Sequence, residues 1–279
     1  MNIHREISFE DEICEHLAAH GWLHERDDAK RYDRTRALYA PDLIEWVKTS
    51  QPKAWEAIAK SGEAALLDRV RKQIDARGTL DVLRHGIDMI GVRGTLKLAE
   101  FKPALAENAE IVARYQANRL RIVRQVKYST ANENSIDLVL FLNGIPVATA
   151  ELKTDFTQSV DDAIDQYRYD RPPRHGGRTE PLLSFGSGAL VHFAVNNAQV
   201  FMTTKLEGKA TRFLPFNKGD HGAAGNPLNP HGHRTSYLWE EVWERESWLE
   251  LIGRYIIAQK DKKGQPSVLI FPRYHQWDA

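Results

Sequence analysis

Residues 135–153 read SIDLVLFL-NG-IPVATAELK. Two apolar, β-rich runs flank an Asn-Gly pair, the strongest short-range signal for a β-hairpin. Both parities of the first run are apolar: Ile136, Leu138 and Leu140 on one side, Val139 and Phe141 on the other. A strand of that kind is covered on both faces, which places it at the centre of an α/β layer. The second run then ends in charge. Strand alternation puts Glu151 and Lys153 on one side and Leu152 on the other, and the partner strand offers Asp137.

Whether Asp137 and Glu151 share a face depends on the turn. If Asn143-Gly144 is a two-residue loop, Leu142 pairs with Ile145, Asp137 opposes Ala150, and Glu151 faces away. A three-residue loop, or a bulge, restores the parity and turns both carboxylates to one side. A shared metal site therefore requires that irregularity. With it, the order Asp, hairpin, Glu-x-Lys suits phosphodiester hydrolysis. Two carboxylates hold Mg²⁺, an oxygen-seeking ion that keeps several waters, and the ammonium of Lys153 orients water or meets developing negative charge. The same pattern also fits an ion pair at a strand end.

Working outward, residues 8–20 predict a helix with Ser8 and Asp11 as a capping box and Gly21 as its stop. Residues 26–36 (RDDAKRYDRTR) predict a solvated charged loop, and 42–87 several helices punctuated by Pro52 and Gly62. Residues 95–102 alternate as a strand, 106–118 as a helix, 121–129 as a strand. After the hairpin, a helix is expected over 159–170, stopped by Pro172 and Pro173. Strands follow over 189–196 and 198–205. Residues 217–236 form a long loop rich in Gly, Asn, Pro and His, longer than ordinary connections and so either functional or a docking surface. Residues 237–259 predict a Trp-rich helical stretch broken at Ser247, and the tail starts a new strand.

Composition narrows the class. The 279 residues carry 38 basic and 38 acidic side chains, so the chain is no uniformly basic nucleic-acid binder, although local patches remain open. Cys14 is the single cysteine, which excludes an internal disulfide and Cys-rich zinc sites and fits a reducing, cytoplasmic setting. The charged start MNIHREISFEDE lacks the apolar core of a secretory signal. No apolar run approaches the ~20 residues of a membrane span, and no P-loop is present; Gly208–Thr211 lacks the upstream glycine. His221, His231 and His233 lie in a Gly/Pro-rich loop without zinc spacing. No nucleophile elbow occurs. Trp239, Trp243 and Trp248 read as packing residues. Lys205, Lys209 and Arg212 could meet phosphates or form a solvated turn. Arg168, Arg171 and Arg174 flank the Gln166 helix and are the expected DNA-backbone contacts.

From about residue 79 onward the chain resembles the N-terminal nuclease domain of type I restriction-modification R (motor) subunits. IDLVLFLNGIPVATAELK, DAIDQYRYDR, GALVHFAVNNAQVFMTTKLEG, FLPFNKG, GAAGNPLNP and TSYLWEEVW carry the resemblance. It implies an α/β PD-(D/E)xK core, a central mixed sheet flanked by helices, with a helical insertion over about 40–118. By the resemblance, Asp137, Glu151 and Lys153 correspond to the catalytic Asp, Glu and Lys, with Mg²⁺ on Asp137 and Glu151. Gln166 matches the glutamine of a Gln-x-x-x-Tyr motif. Position 170 is Asp where the family has its tyrosine, and Tyr169 is the residue placed to serve. Glu10, followed eleven residues later by Gly21-Trp22, is similar to the metal-linked Glu on the first helix of archaeal Holliday-junction resolvases. The tail IFPRYHQ resembles the opening of the family's superfamily 2 helicase motor, with Gln276 as its adenine-reading glutamine. The expected organisation is a nuclease domain over 1–258 and a linker with the start of the motor over 259–279, with ATP used only by the full-length protein. The implied partners are double-stranded DNA and the methyltransferase and specificity subunits. A stand-alone repair nuclease and a non-catalytic module docking motor to methyltransferase are the alternatives.

Overall fold

Asn143 and Gly144 both take positive φ, +50° and +78°, as a two-residue type I′ turn demands. The computed structural model describes residues 2–104, 108–154 and 159–278, and for residues 2–6 the backbone alone. The turn is clamped from outside. Buried Asn143 donates through Nδ2 to the carbonyl of Leu98 and to Asn118 Oδ1, each at 2.9 Å, and its Oδ1 accepts the Arg119 amide at 2.7 Å. The Gly144 carbonyl accepts the Tyr39 amide at 2.8 Å. A Cβ on Gly144 would lie 2.3 Å from the Tyr39 carbonyl oxygen, so only glycine fits this tip.

Six strands form the central sheet: β1 (Leu120–Lys127), β2 (Ser135–Leu142), β3 (Ile145–Leu152), β4 (Val191–Val195), β5 (Val200–Thr203) and β6 (Leu214–Pro215). They lie side by side in the order β6-β5-β4-β3-β2-β1. Every neighbouring pair is antiparallel except β3 and β4, which are parallel. A parallel pair needs a crossover. Residues 153–190 supply it, including α-helix Val160–Asp165, capped by Ser159 and Asp162, and a wider π turn over Gln166–Asp170.

Leu142 pairs with Ile145 and Phe141 with Pro146, but Leu140 pairs with Ala148. Val147 is the extra residue of a β-bulge. Pro146 supplies the cause, since a residue without an N–H is tolerated inside a sheet at a bulge. The turn thus has the two-residue form, and the parity is restored by the bulge rather than by a longer loop. Beyond it Leu138 opposes Ala150, so the next step sets Asp137 opposite Glu151.

Both faces of the β2-β3 pair are buried, as their doubly apolar sequence requires. Leu138, Leu140, Ala148, Ala150 and Leu152 join one large core with Ile13 and Leu17 of helix Asn2–Ala19, Leu43 and Trp46 of helix Ala40–Ser50, and Leu66 and Val70 of helix Glu63–Arg77. Val139 and Phe141 pack on the other face with Tyr39, Tyr167 and Leu182. The helices of the 40–118 region, among them Pro52–Ile58, Thr79–His85 and Ala109–Ala117, share the first of these cores. Trp239, Trp243 and Trp248 are buried in it too.

Several local expectations change. The first helix begins at Asn2, so Ser8 and Asp11 lie inside it and cap nothing. The 95–102 strand shrinks to Thr95–Leu96, paired with Ile87–Asp88. Residues 106 and 107 lie outside the described residues, and the helix there runs Ala109–Ala117. In the Trp-rich stretch the break falls before Arg245, not at Ser247, because the Glu244 carboxylate accepts the amides of Glu246 and Ser247 at 2.8 and 3.0 Å. The charged 26–36 segment is not wholly solvated: Asp28 is buried, bonded by Arg121 and by the Tyr39 hydroxyl at 2.7 Å each. In the tail, Ile257–Lys260 and Pro266–Ile270 form a hairpin. Phe271 and Tyr274 then pack on Phe216, within the large core. No described helix is long and apolar enough to cross a membrane.

Candidate active site

Three neighbouring strands carry one polar row. Arg124 opposes Leu138 and Val126 opposes Ile136, which sets Gln125 beside Asp137, and Asp137 beside Glu151. Asp137 Oδ2 accepts the Leu152 amide at 2.8 Å and Oδ1 accepts Gln125 Nε2 at 3.2 Å. The same Nε2 donates to Glu10 Oε1 at 2.7 Å, and Arg124 Nε donates to Glu10 Oε2 at 2.9 Å. Glu10 is buried in the middle of its helix. Burial, with the Asp137 charge, raises its carboxyl to about 7.

Glu151 is fully buried. Its Oε1 accepts Arg171 Nε at 2.8 Å, while Oε2 accepts from no donor group of the described residues. Burial first, and the neighbouring Asp137 carboxylate second, through its charge and a carboxyl–carboxylate hydrogen bond, push the Glu151 carboxyl well above the usual range; Arg171 and Lys153 pull it back. Lys153 follows at the strand exit, half-buried, its amide continuing the ladder to the Val195 carbonyl at 2.9 Å.

Beneath the row lies a buried polar chain. Thr149 Oγ1 bonds the Tyr167 hydroxyl at 2.7 Å and His192 Nδ1 at 2.8 Å. Burial lowers the His192 imidazole to about 3 and raises the Tyr167 phenol, so both are neutral. The π turn divides the aromatic side chains that follow Gln166. Tyr167 points inward, whereas Tyr169 is 58% exposed. Gln166 Oε1 is buried and unpartnered among the described residues.

The three arginines separate. Arg168 bonds the Thr211 carbonyl and lies within 3.5 Å of Asp165, and Arg174 is exposed on a two-residue strand pair with Arg178–Thr179. Arg171 departs from its expected place on a DNA-facing surface. Its side chain is buried because it neutralises Glu151. Lys205, Lys209 and Arg212 are exposed, with Lys205 held by Glu207 at 2.6 Å. His233 is held by Glu12 and packs edge-on against Phe9. The long loop is pinned by buried Asn226, which donates to the Ala198 carbonyl at 2.9 Å.

Among the described residues no three His, Cys, Asp or Glu side chains are gathered as a metal cage. Asp137 and Glu151 face each other across the hairpin and could hold a cation; Asp137 already accepts two hydrogen bonds, whereas Glu151 Oε2 accepts none from the described residues. Glu10 joins them through Gln125, with both its own oxygens already bonded. Gln125, Thr149 and His192 were invisible as site residues in sequence because their contacts cross strands, and the inward turn of Tyr167 is set by the π turn. The bulge did have a signal, the proline at 146 inside a central strand.

This is an α/β chain with two carboxylates opposed on a central hairpin and a lysine two residues on. Residues 5–211 match the family described as type I restriction enzyme R protein N terminus, and the chain belongs to that family. It is also similar to a Methanocaldococcus jannaschii protein whose name describes a type I restriction enzyme MjaVIIIP endonuclease subunit, at 24% identity over 282 residues. That match covers 98% of this chain and 25% of the relative, so the chain spans about a quarter of the relative's length.

Proposed function

We propose that this chain is the nuclease part of a type I restriction R subunit, a PD-(D/E)xK core that cleaves DNA with Mg²⁺. The observation that carries the reading is the bulge-set opposition of Asp137 and Glu151, with a buried Glu151 Oε2 that no donor group of the described residues reaches. Family membership supports the restriction role, and the relative's name supports endonuclease activity.

Asp137 and Glu151 would hold the ion. Bound there, Mg²⁺ would supply Lewis acidity to the scissile phosphate and lower the pKa of a coordinated water. The chain's own groups do the rest. The Leu152 amide and Gln125 fix the rotamer of Asp137. Lys153, at the mouth of the row, orients the attacking water or takes up charge that develops on the phosphoryl oxygens. Gln166 offers a buried carbonyl oxygen to a water or hydroxyl. Arg168 and Arg174 are the backbone contacts. Cutting would be distant from the recognition site, after translocation by an ATP-driven motor in the remaining polypeptide, with sequence choice made by the specificity subunit beside the methyltransferase. The cytoplasm is the expected setting.

A crystal soaked in Mn²⁺ tests the metal site. Anomalous density about 2.0–2.3 Å from an Asp137 oxygen and from Glu151 Oε2 is expected. A soaked crystal with no peak at this pair would exclude the ion from the mechanism.

A further inference from the structure

We infer that Arg171 is a positioning residue for Glu151: its guanidinium holds one carboxylate oxygen against the protein and so presents the other to a divalent cation. The inference rests on the nuclease reading above. Buried polar atoms in folded proteins nearly always have partners, and one that lacks them calls for a ligand or a function. Glu151 shows both conditions on one side chain. Oε1 is bonded by Arg171 Nε at 2.8 Å, and Oε2, equally buried, accepts from no donor group of the described residues and has the Asp137 carboxylate as its neighbour. The asymmetry comes from the direction of the guanidinium.

Arg171 is built to keep that direction. Its side chain is 9% exposed and that of Glu151 0%. It follows the π turn Gln166–Asp170 and precedes Pro172, whose ring restricts the backbone of the residue before it. A second donor, Nη1, bonds the Asp170 carbonyl at 3.4 Å. The planar fork is therefore held at two points, which a flexible ammonium does not reproduce. This links the crossover to the central strand β3 and makes the set of the carboxylate depend on the turn.

A purely electrostatic role predicts the opposite result from a positioning role. If Arg171 only neutralised Glu151, its removal would delete a positive charge beside the cation and tighten binding. If it positions Glu151, removal frees the carboxylate to rotate and binding weakens. The experiment measures Mn²⁺ affinity of the intact protein by calorimetry, without DNA, for wild type, R171K, R171Q and D137N, with thermal unfolding as a check of folding. Residues that orient metal ligands typically contribute about 10–100-fold in affinity. R171Q is expected to weaken Mn²⁺ binding by at least about tenfold, D137N to weaken it as well. R171K keeps the counter-charge, so it stays folded even if R171Q does not, and is expected to weaken binding by at least about threefold. Unchanged affinity in R171K, or equal or tighter affinity in R171Q, beside a weakened D137N would overturn the positioning role alone. D137N binding like wild type would overturn the metal site itself and this inference with it.

Discussion

Glu151 and His192 sit on adjacent, parallel strands and meet burial in opposite ways. Glu151 keeps a counter-ion in Arg171. His192 has none among the described residues and stays neutral, its ring nitrogen bonded to Thr149. The imidazole is lowered to about 3 in the fold, against an unfolded value near 6.5. Between those values the unfolded chain binds more protons, so stability rises with pH across the window and is lost as pH falls below about 6.5. At pH 5.5 the deficit from this one group is about 1.4 kcal/mol relative to pH 8. Urea unfolding at the two pH values should show that His192→Gln removes a deficit of this size. An identical pH dependence in the variant would contradict the burial argument. Residue type and strand spacing drew attention to Asp137, Glu151 and Lys153 in sequence but fitted a strand-end ion pair equally well, and only the family resemblance gave them roles. The roles of Gln125 and Arg171 could not be read there, since they depend on contacts 12 and 20 residues away along the chain. Arginine near a presumed DNA path reads as a phosphate contact until its burial is known.

The hairpin shows how a single backbone irregularity decides the chemistry. Asn143-Gly144 announced the turn, and alternation announced both strands. Simple pairing arithmetic gave a clear condition for a shared carboxylate face, yet the residue that meets it, Val147, is unremarkable in itself. Pro146 was the available sign. The turn tip is equally constrained. Gly144 combines φ of +78° with a Tyr39 carbonyl where a Cβ would go, so Gly144→Ala should lower stability by about 2 kcal/mol or more. Equilibrium urea unfolding would measure it, and a wild-type midpoint would show that the turn is looser than described. Elsewhere, helix ends were readable to within a few residues, except that the first helix begins six residues before its expected start. The 95–102 strand was not readable, because its partner Ile87–Asp88 is only two residues long and alternation beyond the pair makes no sheet.

The whole molecule arranges these parts so that one hairpin end is buried by helices and the other carries the carboxylates. Tyr39, Leu98, Asn118 and Arg119 clamp the Asn143-Gly144 turn, while the opposite ends of β2 and β3 bring Asp137 and Glu151 together. Sequence reading found the α/β class and the mixed sheet's central strands. It could not give the strand order, nor the packing of Phe271 and Tyr274 into the same core as the sheet, because such contacts are set by tertiary fit. If the row at that strand end is the cleavage site, chemistry and motor action must separate cleanly. The most direct measurement is cleavage of circular DNA by the assembled restriction enzyme carrying Lys153→Ala, with Mg²⁺ and ATP. The expected result is cleavage reduced by at least about 100-fold, with DNA-stimulated ATP hydrolysis unchanged. Cleavage at the wild-type rate would contradict the nuclease assignment and leave this chain a docking module.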